Sequence, residues 1–549
     1  MAQTQLLRGQ SGLPVDNPTN SYWHKEPSKT LLGHRTTTEL PRSADVVIVG
    51  SGITGAFAAH FLKEKQPDLN VVMLEAREAC WGATGRNGGH CQPAIYAASA
   101  PHIASFELRN YSYLKNLVEE FSIPCDWRST SGVHAFYNEE LFSIAKGYVA
   151  DLSDKYPDLA ANVAVVTKGT ADDKGLAGTP AYLLEGERRE LTLDGLRVPD
   201  ADGAIVQWNA ASLWPYKLVA FVLERLLAAN GDGEPSTSKW SFNLQTSTPA
   251  TGLSPAEPAP APAPGSASSP APSPLWTVQT PRGAVAAPRV LLATNAYTSH
   301  LLPRFADLIV PTRGQVSALQ PPQEPSAPSD PPLDIAHTYY VDGERDAALE
   351  RADYLIQRPP AAALLVYGGG RHHAAKRGVG VWDDSSVDEP VAWYLRGELG
   401  SVVDLSLRRA GGAGATDAET ETDAKTESGE GQEQGQERVR KQDLQPTHEW
   451  TGIMGYSRDG HPWVGGVPDA LGGGEGLYLC AGYTGHGMPN AVLGAKAAVD
   501  MMCDGDAAEV DLPPEYELTE PRVAAARLEE EVAVADAKGS LYCDFGMPR

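Results

Sequence analysis

No apolar run in the sequence approaches the ~20 residues that a membrane-spanning helix needs. The first residues lack the apolar stretch of a secretory signal, and the final GMPR is not a peroxisomal address, so we expect neither. Basic residues are also scarce, since 45 Lys and Arg stand against 70 Asp and Glu and give a formal charge of −25. This imbalance argues against nucleic acids and anionic membranes as partners.

Cysteine is scarce as well. Six cysteines are scattered along the chain and none forms a C-x-x-C pair, which predicts reduced thiols and a cytoplasmic protein. His372 and His373 are adjacent but have no further ligands at a suitable spacing, so we expect both at the surface and predict no metal site. No convincing Ser/His/Asp or Cys/His set is present either, which argues against a protein nucleophile.

A βαβ unit is predicted over residues 45–75. Two apolar, mostly β-branched strands flank a helix, and the first strand leads directly into the spacing G-x-G-x-x-G. The strands are Val46–Val49 and Val71–Leu74, and the apolar positions of the helix are Phe57, Ala58, Phe61 and Leu62.

The glycine spacing of this unit is typical of a dinucleotide-binding turn. Gly50 allows the tight turn, Gly52 lets the backbone approach a pyrophosphate, and Gly55 lets helix and strand pack closely. The helix N-terminus offers N–H groups and a partial positive charge to phosphates. Glu75, about 20 residues past the last glycine, is expected to accept hydrogen bonds from a ribose diol. The unit alone leaves NAD and FAD equally open.

Two further glycine-rich segments extend this pattern. The loop WGATGRNGGH at 81–90 carries polar side chains on a backbone that can approach a ligand closely, although a flexible surface turn would look similar. Near the C-terminus, the predicted strand Leu477–Ala481 enters a glycine turn, and a helix follows from about Asn490. This second strand–glycine–helix unit would direct another helix N-terminus at a second part of the same ligand.

Two segments lack the composition of a folded core. Ser254–Pro274 is low-complexity Pro/Ala/Ser sequence, and we predict a disordered hairpin loop between strand-like flanks at 239–248 and 275–299. Residues 411–440 are acidic and lack apolar side chains, and we predict a disordered surface insertion there rather than a regulatory element.

These motifs occur in one order with three others, PTRGQV at 311–316, YGGGR at 367–371 and WTGIMGYSRDGHPWVG at 450–465. With AGYTGHGM at 481–488, they cover most of the chain. Because of these motifs, the chain resembles the FAD-dependent amine and amino-acid oxidoreductases of the D-amino-acid oxidase superfamily. The branch of glycine oxidase, sarcosine oxidase and γ-glutamylputrescine oxidoreductase is the most similar.

The resemblance implies an α/β fold in which a Rossmann-type FAD-binding domain is interleaved with a mixed-sheet α+β substrate domain. The implied division is an N-terminal arm at 1–43, FAD-binding segments at 44–105, 205–312 and 448–505, substrate segments at 106–204 and 313–447, and a C-terminal extension at 506–549.

The resemblance also implies the reaction. A hydride passes from the carbon beside a neutral amine to flavin N5, the imine hydrolyses, and oxygen or another acceptor reoxidises the flavin. The alternatives are an FAD dehydrogenase that uses a different electron acceptor and a non-catalytic flavoprotein.

The cofactor-binding residues implied by the resemblance fall in four places: the βαβ unit, the glycine-rich loop, a strand end near the pyrophosphate and the C-terminal glycine turn. They are Gly50, Ser51, Gly52, Ile53, Thr54, Gly55, Glu75, Ala76, Arg77, Trp81, Gly82, Ala83, Arg86, Asn87, Gly88, Gly89, Thr294, Gly485, His486, Gly487 and Met488.

The chain departs from the sarcosine-oxidase pattern at two positions. Pro489 stands where those relatives have a lysine that helps hold the substrate carboxylate, which puts a simple N-methyl amino acid bound in that way in doubt. No cysteine lies near Gly452, where those relatives attach FAD, so we expect non-covalent FAD. A histidyl link at His90 is the less favoured alternative, because a histidine in a polar loop is more often a hydrogen-bonding residue.

Candidates for substrate contact are Arg371, His90, Tyr483 and Met454. Arg371 would clamp a carboxylate through two parallel hydrogen bonds, or it would form an ordinary ion pair. Tyr483 would form a wall of the active site or would only pack. The sequence does not identify the amine.

Overall fold

The structure is a computed structural model that describes residues 6–168, 191–230, 240–256, 275–322, 333–344, 351–359, 362–406, 443–505 and 509–528. Its strands are β1 (Val46–Val49), β2 (Asn70–Leu74), β3 (His90–Cys91), β4 (Arg128–Phe136), β5 (Val163–Thr167), β6 (Gly203–Ser212), β7 (Ser241–Gln245), β8 (Gly252–Pro255), β9 (Trp276–Thr280), β10 (Gly283–Ala287), β11 (Arg289–Leu292), β12 (Ile309–Leu319), β13 (Thr338–Asp342), β14 (Ala352–Gln357), β15 (Leu365–Gly368), β16 (Pro446–Ser457), β17 (Trp463–Gly466) and β18 (Leu477–Ala481). Its helices are α1 (Ile53–Lys65), α2 (Pro101–Phe121), α3 (Glu139–Lys155), α4 (Pro157–Ala160), α5 (Pro215–Ala228), α6 (Thr298–Leu301), α7 (Glu389–Val402), α8 (Ala491–Asp504) and α9 (Glu520–Leu528).

A six-stranded sheet in the order β17-β18-β11-β1-β2-β7 forms the centre of the first layer. Its strands are parallel except the edge strand β17, and β1 pairs with β2 on one side and β11 on the other. Every residue of β1 is buried, which explains its uninterrupted apolar run. The strand order reverses between β1 and β11, and a crevice at the carboxyl ends of such neighbours is where α/β sheets bind ligands.

A nine-stranded mixed sheet forms the second layer, in the order β16-β12-β15-β14-β13-β4-β6-β3 with β5 also paired to β6. Its longest pair is β12 with β16, which runs antiparallel from Ile309–Ser457 to Leu319–Pro446. A separate core cluster lies between this sheet and helix α7. The two sheets and their separate cores confirm the predicted α/β fold with a mixed-sheet second domain.

The predicted domain boundaries remain a prediction. Strand β6 is hydrogen-bonded in the nine-stranded sheet, so we propose from sheet membership that the return to the FAD-binding segment comes after Ser212 rather than at 205. The acidic segment 411–440 lies outside the described residues.

The hairpin around the Pro/Ala-rich segment differs from the prediction. Ser254 lies in β8, which pairs antiparallel with β9, whereas β7 lies at the edge of the six-stranded sheet. Strand β8 is short and ends at Pro255, so its sequence did not indicate a strand. Residues 257–274 lie outside the described residues.

The predicted surface position of His372 is wrong. Its side chain is only 3% exposed, and its ring contacts those of His373 and Tyr394 with centroids 4.2 and 4.9 Å away. Two adjacent polar residues usually indicate a surface turn, but helix α7 covers the side chain of His372. In the part of the chain that the structure describes, no group of side chains suits a metal ion. No described helix is both long and apolar enough to cross a membrane.

Candidate functional site

A cavity of about 330 Å³ lies between the two sheets. One side is formed by the carboxyl ends of β1, β2 and β11, and the opposite side by β12, β14 and β16. The loop at 82–92 and the turn at 483–489 complete its walls. The cavity therefore occupies the crevice that the reversal of strand order creates.

Most of the predicted site residues line this cavity. Gly55, Trp81 and Gly89 are the predicted cofactor residues that are not in its lining. Those that line it are Gly50, Ser51, Gly52, Ile53, Thr54, Glu75, Ala76, Arg77, Gly82, Ala83, Arg86, Asn87, Gly88, Thr294, Gly485, His486, Gly487 and Met488, together with the substrate candidates His90, Arg371, Met454 and Tyr483. Their predicted roles toward a ligand remain predictions.

The first glycine turn is too crowded for larger residues. Gly50 has a φ of +108°, and a Cβ there would lie 2.6 Å from the Ala293 carbonyl oxygen. A Cβ at Gly55 would lie 1.9 Å from the Gly50 carbonyl oxygen, because α1 packs directly on the turn. The side chain of Thr84 accepts a hydrogen bond from Ile53 N–H at 3.1 Å and so caps the start of α1.

The Glu75 carboxylate is fixed by the same turn. One oxygen accepts hydrogen bonds from Ser51 N–H at 3.0 Å and from the Ser51 hydroxyl at 2.6 Å, and the other accepts from Arg77 N–H at 2.9 Å. Glu75 is 9% exposed and faces the cavity. Four lone-pair directions are available on a carboxylate, so these bonds leave room for a ligand hydroxyl.

Two buried arginines share one carboxylate beside this end of the cavity. Arg77 donates to both oxygens of Asp384 at 3.0 and 2.6 Å, and Arg86 Nε lies 3.2 Å from the same group. Burial lowers the pKa of Arg86 to about 10, against the attraction of Asp384. Arg86 Nη1 is buried and has no hydrogen-bond partner among the described residues. The cluster therefore carries an excess of positive charge.

The second glycine turn is held by helix α2. Glu107, which is 2% exposed, contacts His486 Nε2 at 2.8 Å and accepts from Asn490 Nδ2 at 2.9 Å and Ala94 N–H at 2.7 Å. Asn110 donates to the Met488 carbonyl at 3.0 Å and accepts from Leu493 N–H at 2.9 Å. Neither residue was predicted to belong to the site.

Tyr483 joins the two glycine turns. Its hydroxyl lies 2.8 Å from Thr54 Oγ1 at the start of α1 and 3.1 Å from Cys480 Sγ. Burial raises its pKa well above the usual value, so the phenol stays neutral. These contacts favour a packing and positioning role for Tyr483 over contact with a reacting group.

Arg371 lies at the end of the cavity formed by the nine-stranded sheet. It follows Gly369 and Gly370, both with positive φ, and Gly370 N–H donates to Asp353 Oδ1 at 2.8 Å. The other oxygen of Asp353 accepts from Tyr367 and Tyr394 at 2.7 and 2.6 Å. Arg371 Nη1 donates to the Tyr456 hydroxyl. Asp353 thus fixes the turn that presents the guanidinium.

His90 is a second polar group at this end. Its ring contacts that of Tyr354, with centroids 5.7 Å apart. Burial lowers its pKa to about 4, against a hydrogen bond to the backbone of Leu355. Its Nε2 is buried without a hydrogen-bond partner in the described part of the chain. His90 is therefore a neutral imidazole at ordinary pH, with one nitrogen available to a ligand.

Sequence reasoning missed four supports of the site. Thr84 and Asp384 act through single hydrogen-bonding groups that no spacing rule reveals. Glu107 and Asn110 did leave a signal, because in α2 they lie at helical spacing from the apolar residues Ile103, Phe106 and Leu114, where a charged or amide side chain needs a partner.

These groups fit the predicted dinucleotide. Both glycine turns present helix N-termini to the cavity, and an added Cβ would clash at Gly50. The Arg77–Arg86–Asp384 cluster offers a net positive charge and an unsatisfied guanidinium nitrogen to a pyrophosphate. When bound, FAD supplies a two-electron acceptor.

Solved structures share this fold. Glycine oxidase from Geobacillus kaustophilus is 17% identical with a TM-score of 0.57, and the match covers 87% of this chain and 99% of that one. L-amino acid deaminase from Proteus vulgaris, with its specific insertion deleted, is 15% identical with a TM-score of 0.55 over 90% and 99% of the two chains. L-proline dehydrogenase from P. horikoshii is 16% identical with a TM-score of 0.55 over 88% and 99%.

One curated relative matches only locally. A probable malate:quinone oxidoreductase from Bordetella avium (strain 197N) is 47% identical over 45 residues. The match spans 8% of this chain and 9% of that protein. It therefore carries no information about the activity of the whole chain.

The family described as FAD dependent oxidoreductase (DAO) matches residues 45–234 and 267–501, which is most of the chain. The match includes both strand–glycine–helix units and most of the nine-stranded sheet. On this evidence the chain belongs to the DAO family of FAD-dependent oxidoreductases and is an enzyme.

Proposed function

We propose that the enzyme oxidises the C–N bond of an amino acid or another amine that carries a carboxylate. The observation that carries this proposal is Arg371, which the Asp353-bound glycine turn and the Tyr456 hydroxyl hold in the cavity wall. A fixed guanidinium recognises a carboxylate through two parallel hydrogen bonds.

The charges of the cavity favour an amino acid over a polyamine. Glu75 is the one carboxylate among the described residues that line the cavity, and it is held at the carboxyl end of β2 by Ser51. A polyamine would bring a second ammonium group toward Arg371, and the described lining has no carboxylate besides the Ser51-bound Glu75 to pair with it. An amino acid would bring a carboxylate toward the guanidinium of Arg371, so the charges of ligand and lining would be complementary.

His90 is suited to the amine end of such a substrate. An amine must be neutral before its C–N bond is oxidised, and the buried, neutral imidazole would accept a hydrogen bond from its N–H. We infer that His90 Nε2 orients the substrate nitrogen while Arg371 orients the carboxylate. Tyr340 and Tyr354 are opposite each other on β13 and β14 and both line the cavity, so they would then lie along the substrate side chain.

The test is an anaerobic flavin-reduction screen across D-amino acids, N-methyl amino acids and polyamines. We expect amino acids to bleach the flavin absorbance and polyamines not to. Reduction by polyamines alone would overturn the substrate class. A flavin that none of these compounds reduces would mean that the substrate of the enzyme belongs to another class.

A matched pair of variants tests the role of Arg371. Arg371→Met should raise KM for the amino acid by about 100-fold, since losing a charged hydrogen-bonded partner costs ~3 kcal/mol, while flavin content stays unchanged. Lys376→Met on the next turn is the control, because Lys376 is exposed and outside the cavity lining. Equal KM values for the two variants would exclude Arg371 as the carboxylate site.

We propose oxygen as the electron acceptor and non-covalent attachment of FAD. Peroxide formed in air during turnover would support an oxidase, whereas a reduced flavin that persists in air and reacts with a quinone would identify a dehydrogenase. Acid precipitation should release the flavin into the supernatant. Flavin retained in the pellet would point to a covalent link, with His90 the first residue to check.

We also propose a cytoplasmic location. Cys80, Cys91, Cys125, Cys480 and Cys503, the cysteines in the described residues, are free thiols. Free thiols are typical of a reducing compartment. Localisation of a tagged full-length chain would test this proposal, and a secreted protein would contradict it.

A further inference from the structure

The N-terminal arm crosses the mouth of the cavity at the carboxyl edge of the six-stranded sheet. Ser11 N–H donates to Ser299 Oγ at 2.9 Å, just beyond the end of β11. Four residues later, the Val15 carbonyl accepts from Arg77 Nε at 2.7 Å, just beyond the end of β2. Between these two contacts, Leu13 and Pro14 line the cavity. The arm therefore spans the crevice above the turn that follows β1.

The arm is closely fitted to the protein. Gly9 has a φ of +82°, and a Cβ there would lie 2.2 Å from the Ala306 carbonyl oxygen. A Cβ at Gly12 would lie 2.7 Å from the ring of Trp382, and Ser11 is fully buried. Such packing fixes the path of residues 9–12 and so fixes where Leu13 and Pro14 lie.

The same arm is tied to the arginine cluster of the cavity. Thr19 N–H donates to the Asp384 carbonyl at 2.8 Å, while the side chain of Asp384 binds Arg77 and Arg86. Arg86 in turn donates to Thr19 Oγ1 at 2.7 Å. The C-terminal side of the crossing segment is thus bound to Arg77 and Arg86, which both line the cavity.

This end of the cavity is suited to a purine. Its lining combines the apolar side chains of Leu13, Pro14, Ala76, Ala250 and Leu301 with the imidazole of His300. His300 Nε2 is buried with no hydrogen-bond partner among the described residues. Apolar faces with one polar atom match a flat heteroaromatic ring whose edge carries nitrogen donors and acceptors.

We propose that residues 11–15 form a strap over the adenosine half of the FAD site, and that Leu13 and Pro14 contact the adenine. The strap supplies part of the binding energy for the adenosine and none for the flavin ring. This proposal depends on the cofactor of the family but not on the proposed substrate, so it can fail while amino-acid oxidation stands.

The experiment measures dissociation constants of the full-length apoprotein for FAD, FMN and ADP by flavin fluorescence and by competition. FMN shares the flavin and one phosphate with FAD, and ADP shares the adenosine. In the double variant Leu13→Ala with Pro14→Ala, we expect the Kd for FAD and ADP to rise about tenfold through lost apolar contact, with the Kd for FMN unchanged.

The control is Leu7→Ala on the same arm, whose side chain is 58% exposed and outside the lining. It should leave all three constants unchanged. A milder variant, Leu13→Val alone, gives the same readout if the double variant does not fold. Unchanged FAD and ADP binding, or an equal rise for FMN, would overturn the strap, because a purely structural arm would weaken all three ligands or none.

Discussion

The two strand–glycine–helix units, β1–α1 and β18–α8, direct their helix N-termini into one cavity but are supported in different ways. In the first unit, Glu75 holds Ser51, and Gly55 packs on Gly50, all within 25 residues. In the second, Glu107 and Asn110 reach the turn from helix α2, across more than 370 positions of sequence. The first turn is self-supporting, and the second depends on a distant helix.

The two units are nevertheless joined to each other. Helices α1 and α8 pack together in one core cluster, and the Tyr483 hydroxyl bonds Thr54 at 2.8 Å. At the other end of the helices, Lys65 bonds Asp500 at 2.5 Å. A change in either unit therefore reaches a shared core, and ligand probes are needed to separate their contributions. ADP tests the adenosine end and FMN tests the flavin end.

The largest expected effect comes from Gly55, the glycine that packs helix on strand in the first unit. Gly55→Ala should destabilise the protein by more than ~3 kcal/mol, because the new Cβ lies 1.9 Å from a backbone oxygen that cannot swing away. Binding of both FAD and ADP should be lost. Thermal unfolding and equilibrium dialysis check these results.

The matched change in the second unit should be tolerated. A Cβ at Gly494 would lie 3.4 Å from Cys480 Sγ, an ordinary contact, and alanine favours a helix by up to ~1 kcal/mol over glycine. Gly494→Ala should therefore be neutral or slightly stabilising and keep its flavin. Equal damage from both variants would mean that helix and strand pack equally closely in the two units.

The next largest effect is expected from replacing Glu107, which supports the second turn from the distant helix α2. Glu107→Ala would leave Ala94 N–H and the Asn490 amide without their buried acceptor, at a cost of ~2 kcal/mol. FMN binding should weaken about tenfold, while ADP binding should not change. The control is Glu119→Ala on the same helix, since that side chain is 63% exposed and its ion pair is with Lys115, one turn away on the surface. A loss of ADP binding in Glu107→Ala would show that the units are not separable.

This difference also explains what the sequence could predict. The strand Val46–Val49, the positive φ of Gly50 and the position of Glu75 follow from local rules, and the structure agrees with them. The second turn was located from its own glycines, but its partner Glu107 belongs to another helix. Asp384 and Leu13 likewise reach the cavity from parts of the chain whose approach is set by tertiary packing. His372 was misplaced for the same reason.

The smallest effect concerns Thr84, a side chain from outside the βαβ unit that caps α1. Thr84→Val keeps the shape but removes the acceptor for Ile53 N–H, which should cost ~1 kcal/mol of stability and raise the Kd for ADP a few-fold. Thr84→Ser retains the hydroxyl and should restore both values. If serine fails to restore them, the methyl group supports α1 by packing, and the first turn depends on tertiary contacts more than its local geometry indicates. If both variants behave like the wild type, the glycine turn alone fixes the helix N-terminus, and the contrast with the second unit becomes sharper.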